Sequence, residues 1–268
     1  MTGTNTHERA LPEALDATLR RARTAYLSET AGALRGHDVP VEATVECGPV
    51  IETILTTAQS PDVRLLVMAT HGEHGPSSAW LGSVADACVR HACCPVVLVR
   101  PDAPPSDWRT STWQLARVLF ALDGSADSEA IVPTCASLLG PDLDAVLLHA
   151  VAPLHPLIQA MATTADVARD LNAERERAVR YLEQAMLRAA AIGVRASSCD
   201  HPDIDPARAI VHCATGHGVS LIAMVTHARG VVGRVMLGSV ADKVVRTATH
   251  PVLFIRSRAD AAAAGASA

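Results

Sequence analysis

The sequence has few of the residues on which phosphate-transferring enzymes usually depend. Its 268 residues include a single lysine, Lys243, and no GxxxxGK[ST] loop is present because Asp242 rather than glycine precedes that lysine. The HExxH and GxSxG motifs are also absent. These absences exclude P-loop nucleotide hydrolysis and argue against the common metalloprotease and serine-hydrolase mechanisms.

The chain also lacks a long apolar run and an excess of basic residues. Hydrophobic residues make up 49% of it, charged residues 19% and aromatic residues only 3%, a composition typical of globular proteins. The net charge of −5 provides no basic surface for nucleic acid. No apolar run approaches the ~20 residues that span a bilayer, and no signal peptide is recognisable. We therefore predict a cytoplasmic protein without nucleic-acid or membrane partners.

Cysteine is present in an odd number, seven, with no CxxC pair. This usage predicts reduced thiols rather than a disulfide framework. The segment Cys199–Asp205 (CDHPDID) combines residue types that bind metals, but Pro202 and Pro206 favour a solvated turn. We interpret the adjacent Cys93 and Cys94 as packing residues. The sequence predicts no metal site and no catalytic residues.

An internal repeat organises the chain. Val63–Arg100 aligns without a gap to Val219–Arg256, at an offset of 156 residues, and 17 of the 38 positions are identical. Such a long offset predicts two copies of one unit rather than a solenoid. We predict a truncated first repeat over 1–101, a Pro- and Ser-rich linker over 102–113, a complete second repeat over 114–258 and a disordered tail over 259–268.

The second repeat alternates apolar strands with helices. Strands are predicted at Ala116–Ser125, Asp144–Val151, Val194–Ser198, Val219–Val225 and Val252–Arg256. The first of these ranges includes the turn that follows the strand. Helices are predicted at Ser128–Leu139, Asp166–Ile192 (ended by Gly193), Pro206–Thr215 and Leu237–Ala248. Strands that are apolar on both faces and separated by helices indicate a parallel sheet covered on both sides.

The first repeat has no counterpart of the first two strands and the first helix. Its remaining predicted elements are helix Glu8–Leu34, strand Val39–Val45, helix Val50–Thr57, strand Leu65–Ala69, helix Leu81–His91 and strand Val96–Val99. Three explanations of the shortfall stay open. Strand Val39–Val45 pairs directly with Leu65–Ala69, or a second chain covers the exposed edge, or the natural start lies upstream of Met1.

One sequence pattern, present in both repeats, suits the binding of a phosphate group. A buried strand ends in a polar loop that leads into the sequence GSVAD at the start of a helix. Loop amides, the hydroxyl of Ser83 or Ser239 and the helix N-terminus form a site of this kind at the carboxyl end of a parallel strand. An ordinary strand-to-helix connection capped by the same serine fits the pattern equally well.

These loops resemble the nucleotide motif of the universal stress protein family, which is Gly, two residues, Gly, nine residues, Gly, then Ser or Thr. The loops are Ala69–Ser83 (ATHGEHGPSSAWLGS) and Val225–Ser239 (VTHARGVVGRVMLGS), and VLFALDGSADSEA resembles the family's first strand. The chain is similar to tandem members of the family. The resemblance implies, in the second repeat, an α/β fold with a doubly wound parallel five-stranded sheet of order 3-2-1-4-5, like adenine-nucleotide alpha-hydrolases. The first repeat is then an incomplete copy.

The resemblance implies a nucleotide site mainly in the second repeat. The residues that it assigns there are Asp123, Ala150, Met224, Thr226, Ala228, Gly238, Ser239 and Val240. Val225 and Ala228 replace the family's first two glycines, and a left-handed Ala228 weakens binding by about 1–2 kcal/mol. In the first repeat the weaker candidates are Gly72, Gly82, Ser83 and Val84, without the strands that carry the acidic residue and the adenine contact.

From the resemblance we predict a stress-response protein that binds ATP or a related adenine nucleotide in the second repeat as a sensor or regulator. Mg²⁺ is expected only with nucleotide. The alternative is a ligand-free module for an unknown protein partner. Asp123 has no accompanying general base and metal set, which leaves at most a slow ATPase. Val96–Val99 and Val252–Arg256 are predicted to pair within the chain, and a homodimer stays open.

Overall fold

The computed structural model describes residues 13–35, 39–71, 81–100, 117–140, 142–149, 165–199, 205–226 and 237–256. The chain divides into two compact units, residues 1–53 and 54–268, so the division falls inside the first repeat. All strands of the described residues belong to the second unit. The predicted linker 102–113 and tail 259–268 lie outside the described residues.

The described elements follow the predicted alternation of helices and strands. In chain order they are α1 Glu13–Arg35, α2 Val50–Ala58, β1 Leu66–Ala69, α3 Ser83–His91, β2 Val96–Val99, β3 Arg117–Leu122, α4 Ala126–Glu129, α5 Ile131–Leu139, β4 Asp144–His149, α6 Ala165–Ala191, β5 Arg195–Ser198, α7 Pro206–Gly216, β6 Leu221–Thr226, α8 Ser239–Thr247 and β7 Val252–Arg256. Where they are described, the predicted elements of the second repeat are confirmed to within a few residues.

The strands form one mixed sheet in the order β1-β2-β7-β6-β3-β4-β5. The five strands of the second repeat are parallel neighbours and, numbered within that repeat, stand in the order 3-2-1-4-5. β2 pairs antiparallel with β7, with Val97 opposite Leu253, which confirms the predicted pairing within the chain. The sheet is therefore seven-stranded rather than five-stranded, because β1 and β2 of the first repeat extend it.

The prediction of a strand at Val39–Val45 is wrong. This segment has no strand structure, and the side chain of Val39 is 52% exposed. In the order 3-2-1-4-5 a third strand pairs with the second, and the described residues of the first repeat include no second strand. The carbonyl of Val41 accepts a hydrogen bond from Arg35 Nη2 at 3.1 Å instead. Among the described strands, β1 consequently ends the sheet on its side.

Two apolar clusters cover the faces of the sheet. Successive β3 residues point to opposite faces, so Leu119 enters one cluster and Phe120 the other. The first cluster includes side chains of α3, α7 and α8, and the second includes side chains of α5 and α6. Both faces of β6 are buried along its whole length. This arrangement is the covered parallel sheet that the sequence predicts.

Helix α6 ends as its sequence predicts. Gly193 has a φ of +82°, a conformation that favours glycine, and the next amide, of Val194, donates to the Ala189 carbonyl at 3.0 Å. Leu182, Ala185 and Ala189 of the predicted apolar stripe are buried. In the described part of the chain, no helix is long and apolar enough to cross a membrane.

Cys199 and Cys213 form a disulfide, so the prediction of reduced thiols is wrong for this pair. Cys199 follows β5 and Cys213 lies on α7, and their Cα atoms are 6.5 Å apart although 14 positions separate them. The helix returns over the end of the strand, a proximity that no local pattern shows. Cys199 is buried, so the segment predicted to be a solvated turn begins in the core. Residues 200–204 lie outside the described residues.

Candidate functional site

A cavity of about 210 Å³ lies at the carboxyl ends of β3 and β6. These two strands are parallel neighbours, and β4 lies on the other side of β3. The cavity is therefore at the point where the strand order reverses, the usual position of ligands in open α/β sheets. It brings together five predicted site residues, which are Asp123, Met224, Gly238, Ser239 and Val240.

The loop after β3 holds Asp123 at the cavity. Asp123 Oδ1 accepts the Ser125 amide at 2.9 Å, and Ser125 Oγ accepts the Ser128 amide at 3.1 Å as the N-cap of α4. The Ser128 hydroxyl donates to the Ser125 carbonyl at 2.8 Å. Gly124 has a φ of +86°, and a Cβ there would lie 3.3 Å from His149 Cε1. The exposed carboxylate of Asp123 is thus placed by a tight, hydrogen-bonded turn.

The second wall of the cavity is the start of α8. Gly238 is the N-cap residue with extended backbone, φ −58° and ψ 151°, and no side chain caps the helix there. Among the described residues, no atom lies within 4 Å of the position that a Cβ on Gly238 would take. Ser239 is exposed. Within the described part of the chain, Gly238 thus offers the first-turn amides no side-chain cap, an arrangement that suits an anionic group.

The equivalent turn of the first repeat is filled by the chain itself. The Gly82 amide donates to the Thr70 carbonyl at 2.8 Å, and a Cβ on Gly82 would lie 3.0 Å from that same oxygen. Ser83 is exposed and Val84 half-buried at the start of α3. The glycine of this turn serves the close approach of β1 and α3, whereas no described residue fills the space beside Gly238.

Some predicted residues are not brought to the cavity. Thr226 is buried at the end of β6, paired with Arg256, and is not among the lining residues. Ala150, Ala228 and Gly72 lie outside the described residues.

Six of the eleven lining residues are not among the predicted site residues, and Ser128 and Ile210 illustrate the reason. Ser128 is buried and lines the cavity with Asp123. Its sequence signal is its position three residues after Ser125, the N-cap serine whose side chain accepts the Ser128 amide. Ile210 reaches the cavity from α7. In the sequence, Ile210 is an apolar residue on a predicted helix like many others, so no local pattern distinguishes it from core residues that do not line the cavity.

The described lining of the cavity contains no arginine or lysine. Lys243 on α8 donates to Asp205 Oδ2 at 3.1 Å, and this hydrogen bond holds the pKa of Asp205 below its usual value. Arg246 pairs with Asp242 at 2.9 Å. From the described residues, an anionic ligand would therefore meet backbone amides rather than cationic side chains.

Comparison with known proteins agrees with the fold and the repeat. The model of the universal stress protein family matches residues 3–100 and 115–256. A universal stress protein of Mycobacterium tuberculosis (strain CDC 1551 / Oshkosh) is 30% identical over 237 residues, covering 85% of this chain and 69% of that protein. One from Bacillus subtilis (strain 168) is 33% identical over 153 residues, 52% of this chain and 98% of its own. The crystal structure of a universal stress protein from Archaeoglobus fulgidus DSM 4304 has the same fold, with a TM-score of 0.57, 17% identity, and coverage of 95% of this chain and 82% of that one.

Proposed function

The chain belongs to the universal stress protein family, with two family segments in tandem, and from this premise we propose that its second repeat binds ATP or a related adenine nucleotide as a sensor or regulator. The observation that carries the proposal is the cavity in which Asp123, Gly238 and Ser239 converge. An acidic side chain and a helix N-terminus that has no side-chain cap among the described residues line one cavity at the switch point of the sheet.

The lining divides into parts that match the parts of a nucleotide. The amides at the start of α8 and the Ser239 hydroxyl are donors for phosphate oxygens. The Asp123 carboxylate is an acceptor for ribose hydroxyls or an exocyclic amine. Met224 and Ile210 provide apolar surface for a base. Mg²⁺ would accompany the phosphates rather than occupy a protein site of its own, and a cytoplasmic location stays a prediction.

We expect the affinity to be low. The described walls enclose about 210 Å³, below the roughly 300–1,000 Å³ of typical ligand pockets. Val225, where the family has a glycine, is buried in β6 and cannot supply loop freedom. A left-handed conformation at Ala228, which replaces a family glycine, would cost about 1–2 kcal/mol and lower affinity roughly tenfold.

Titration of the full chain with labelled ATP tests the proposal. We expect saturable binding below millimolar ATP, and at least a tenfold loss in both Asp123→Ala and Ser239→Ala. The matched control is Ser83→Ala, which makes the same change in the corresponding turn of the first repeat. Absence of saturable binding, or an equal loss in the Ser83 variant, would contradict a site in the second repeat.

A second candidate function is that of a ligand-free interaction module. A shallow groove of about 690 Å³ runs between α6 and β5, and the adjoining Leu187 side chain is 72% exposed. Strand β5 ends the described sheet on this side, and an edge strand offers unpaired backbone groups to a protein partner. Extraction of bound nucleotide from purified protein separates the two functions, since only the nucleotide sensor is expected to release adenine nucleotide. Phosphate release that persists through further purification would be needed to support a slow ATPase.

A further inference from the structure

Two sulfur atoms and one imidazole ring meet where α7 folds back on β5. The ligand atoms of Cys199, Cys213 and His217 all lie within 4.8 Å of one another. Cys213 and His217 are four residues apart at the end of α7, so they share one side of the helix. Cysteine thiolate and histidine imidazole are the ligands that Zn²⁺ prefers in proteins.

The backbone holds all three residues in place. The Cys199 amide donates to the Leu147 carbonyl of β4 at 2.9 Å, and the His217 amide donates to the Cys213 carbonyl at 3.0 Å. The His217 carbonyl accepts from Arg117 Nη1 at 3.0 Å, while Arg117 Nε pairs with Asp144 at 2.9 Å. The cluster is thus anchored to two strands and a helix rather than carried on a free loop.

Burial and charge also suit a divalent ion. Cys199 is 7% exposed and Cys213 is 2% exposed, whereas His217 is half-buried and leaves one side accessible to solvent. The two negative charges of the cysteine thiolates would balance the charge of Zn²⁺, so the metal and its two sulfur ligands would place no net charge in the core. Three protein ligands leave the fourth tetrahedral position for water.

We propose that the reduced chain binds Zn²⁺ through Cys199, Cys213 and His217, and that the Cys199–Cys213 disulfide is its metal-free, oxidised form. Two small thiols reduce the disulfide, giving two cysteine thiols and one small disulfide. Zn²⁺ then replaces the two thiol protons as two Zn–S bonds form. In the reverse direction a small disulfide accepts two electrons and two protons, the protein S–S bond forms, and Zn²⁺ leaves. This inference goes beyond the sequence, from which no metal site is predicted.

Cobalt titration of the full-length protein provides the test, with Co²⁺ as the spectroscopic probe for the zinc site. Protein reduced with a phosphine, which avoids competing thiols, is expected to bind one Co²⁺ per chain with sulfur-to-cobalt charge-transfer absorption. Zn²⁺ should remove this absorption by displacement. Protein kept as the disulfide should show none. Absence of the absorption in the reduced chain would overturn the proposal.

Variants locate the ligands. Cys199→Ser, Cys213→Ser and His217→Gln are each expected to weaken Co²⁺ binding at least tenfold, while the controls Cys93→Ser and His91→Gln leave it unchanged. His217→Gln keeps both thiols and lies at the helix end, so it tests the site even where a core cysteine variant unfolds. Binding that survives in the His217 variant, or that is lost in the Cys93 variant, would place the metal elsewhere. The readout involves no nucleotide, so its result is independent of the ATP titration.

Discussion

At the scale of single residues, two equivalent glycines differ in what surrounds them. Gly82 and Gly238 both precede a helix that begins SVAD, and both act as N-caps. The Thr70 carbonyl fills the space beside Gly82, whereas the space beside Gly238 is open among the described residues. The same motif glycine therefore allows close backbone packing in the first repeat, whereas in the second repeat no described residue occupies the space beside it.

This difference predicts unequal stability effects of the same substitution. Gly82→Ala is expected to lower the free energy of unfolding by about 1–3 kcal/mol, because the new methyl group meets a backbone oxygen. Gly238→Ala should cost less than about 1 kcal/mol, the ordinary loss at an N-cap. Denaturant midpoints of the two variants measure this. Equal destabilisation would show that both turns are equally filled.

His250 provides a pH-dependent prediction. Burial lowers the pKa of its imidazole from 6.5, and its Nδ1 has no hydrogen-bond partner among the described residues. The unfolded chain therefore takes up a proton more readily, so stability should fall as pH drops below about 6.5. The melting temperature of His250→Gln should depend less on pH in that range than that of the wild type. The exposed His91→Gln is the control, and an unchanged slope in the His250 variant would contradict the prediction.

At the scale of elements, the start of α7 combines two local signals with one long-range ion pair. Asp205 Oδ1 accepts the Ala207 amide at 3.0 Å, Pro206 occupies the first helical turn, and Lys243 of α8 pairs with the other carboxylate oxygen. The cap is local and could be recognised from the sequence Asp-Pro. The ion pair could not, because it joins residues 38 positions apart.

Removal of this cap is predicted to destabilise the chain in a pH-dependent way. Asp205→Ala should lower the free energy of unfolding by about 1 kcal/mol at neutral pH. The pKa of this carboxyl is lowered from 3.8 in the folded chain, so its contribution is present above that value and lost as pH falls through the folded pKa. Unfolding curves at several pH values measure the effect. Lys243→Met, which keeps the cap, should cost less, and an equal cost would assign the effect to the ion pair.

Contacts between elements also decide whether a predicted strand forms. Val39–Val45 has the apolar alternation of a strand, yet it forms none. A strand needs a neighbour for its backbone hydrogen bonds, and the second strand that would supply them has no counterpart in the first repeat. The repeat offset already indicates that the partner strand is missing, but alternation within a segment measures only its tendency to pair and therefore predicts the strand wrongly.

At the scale of the whole molecule, the two repeats share one sheet through β2 and β7. Val252, Leu253 and Phe254 of β7 are buried where β2 covers that edge. The apolar composition of both strands allowed this pairing to be predicted. An uncovered apolar edge strand is a template for another chain.

Separation of the repeats is therefore predicted to create a dimer. A fragment of residues 114–258 lacks β2 and exposes the β7 edge, so two copies should pair through β7. Analytical ultracentrifugation of the fragment, beside the full chain, measures the association. A fragment that stays monomeric at all concentrations and melts like the full chain would show that β2 is not needed to cover this edge.

The sequence by itself determined the repeat, the alternation of helices and strands, the family, and five of the residues that line the cavity. These features follow from local periodicity and from a motif with regular spacing, which the chain carries wherever it folds. Tertiary structure alone decided that the space beside Gly82 is filled while no described residue fills that beside Gly238, that Val39–Val45 forms no strand, and that Cys199, Cys213 and His217 meet. Each of these depends on distances between elements remote in the chain, and no local pattern encodes such distances.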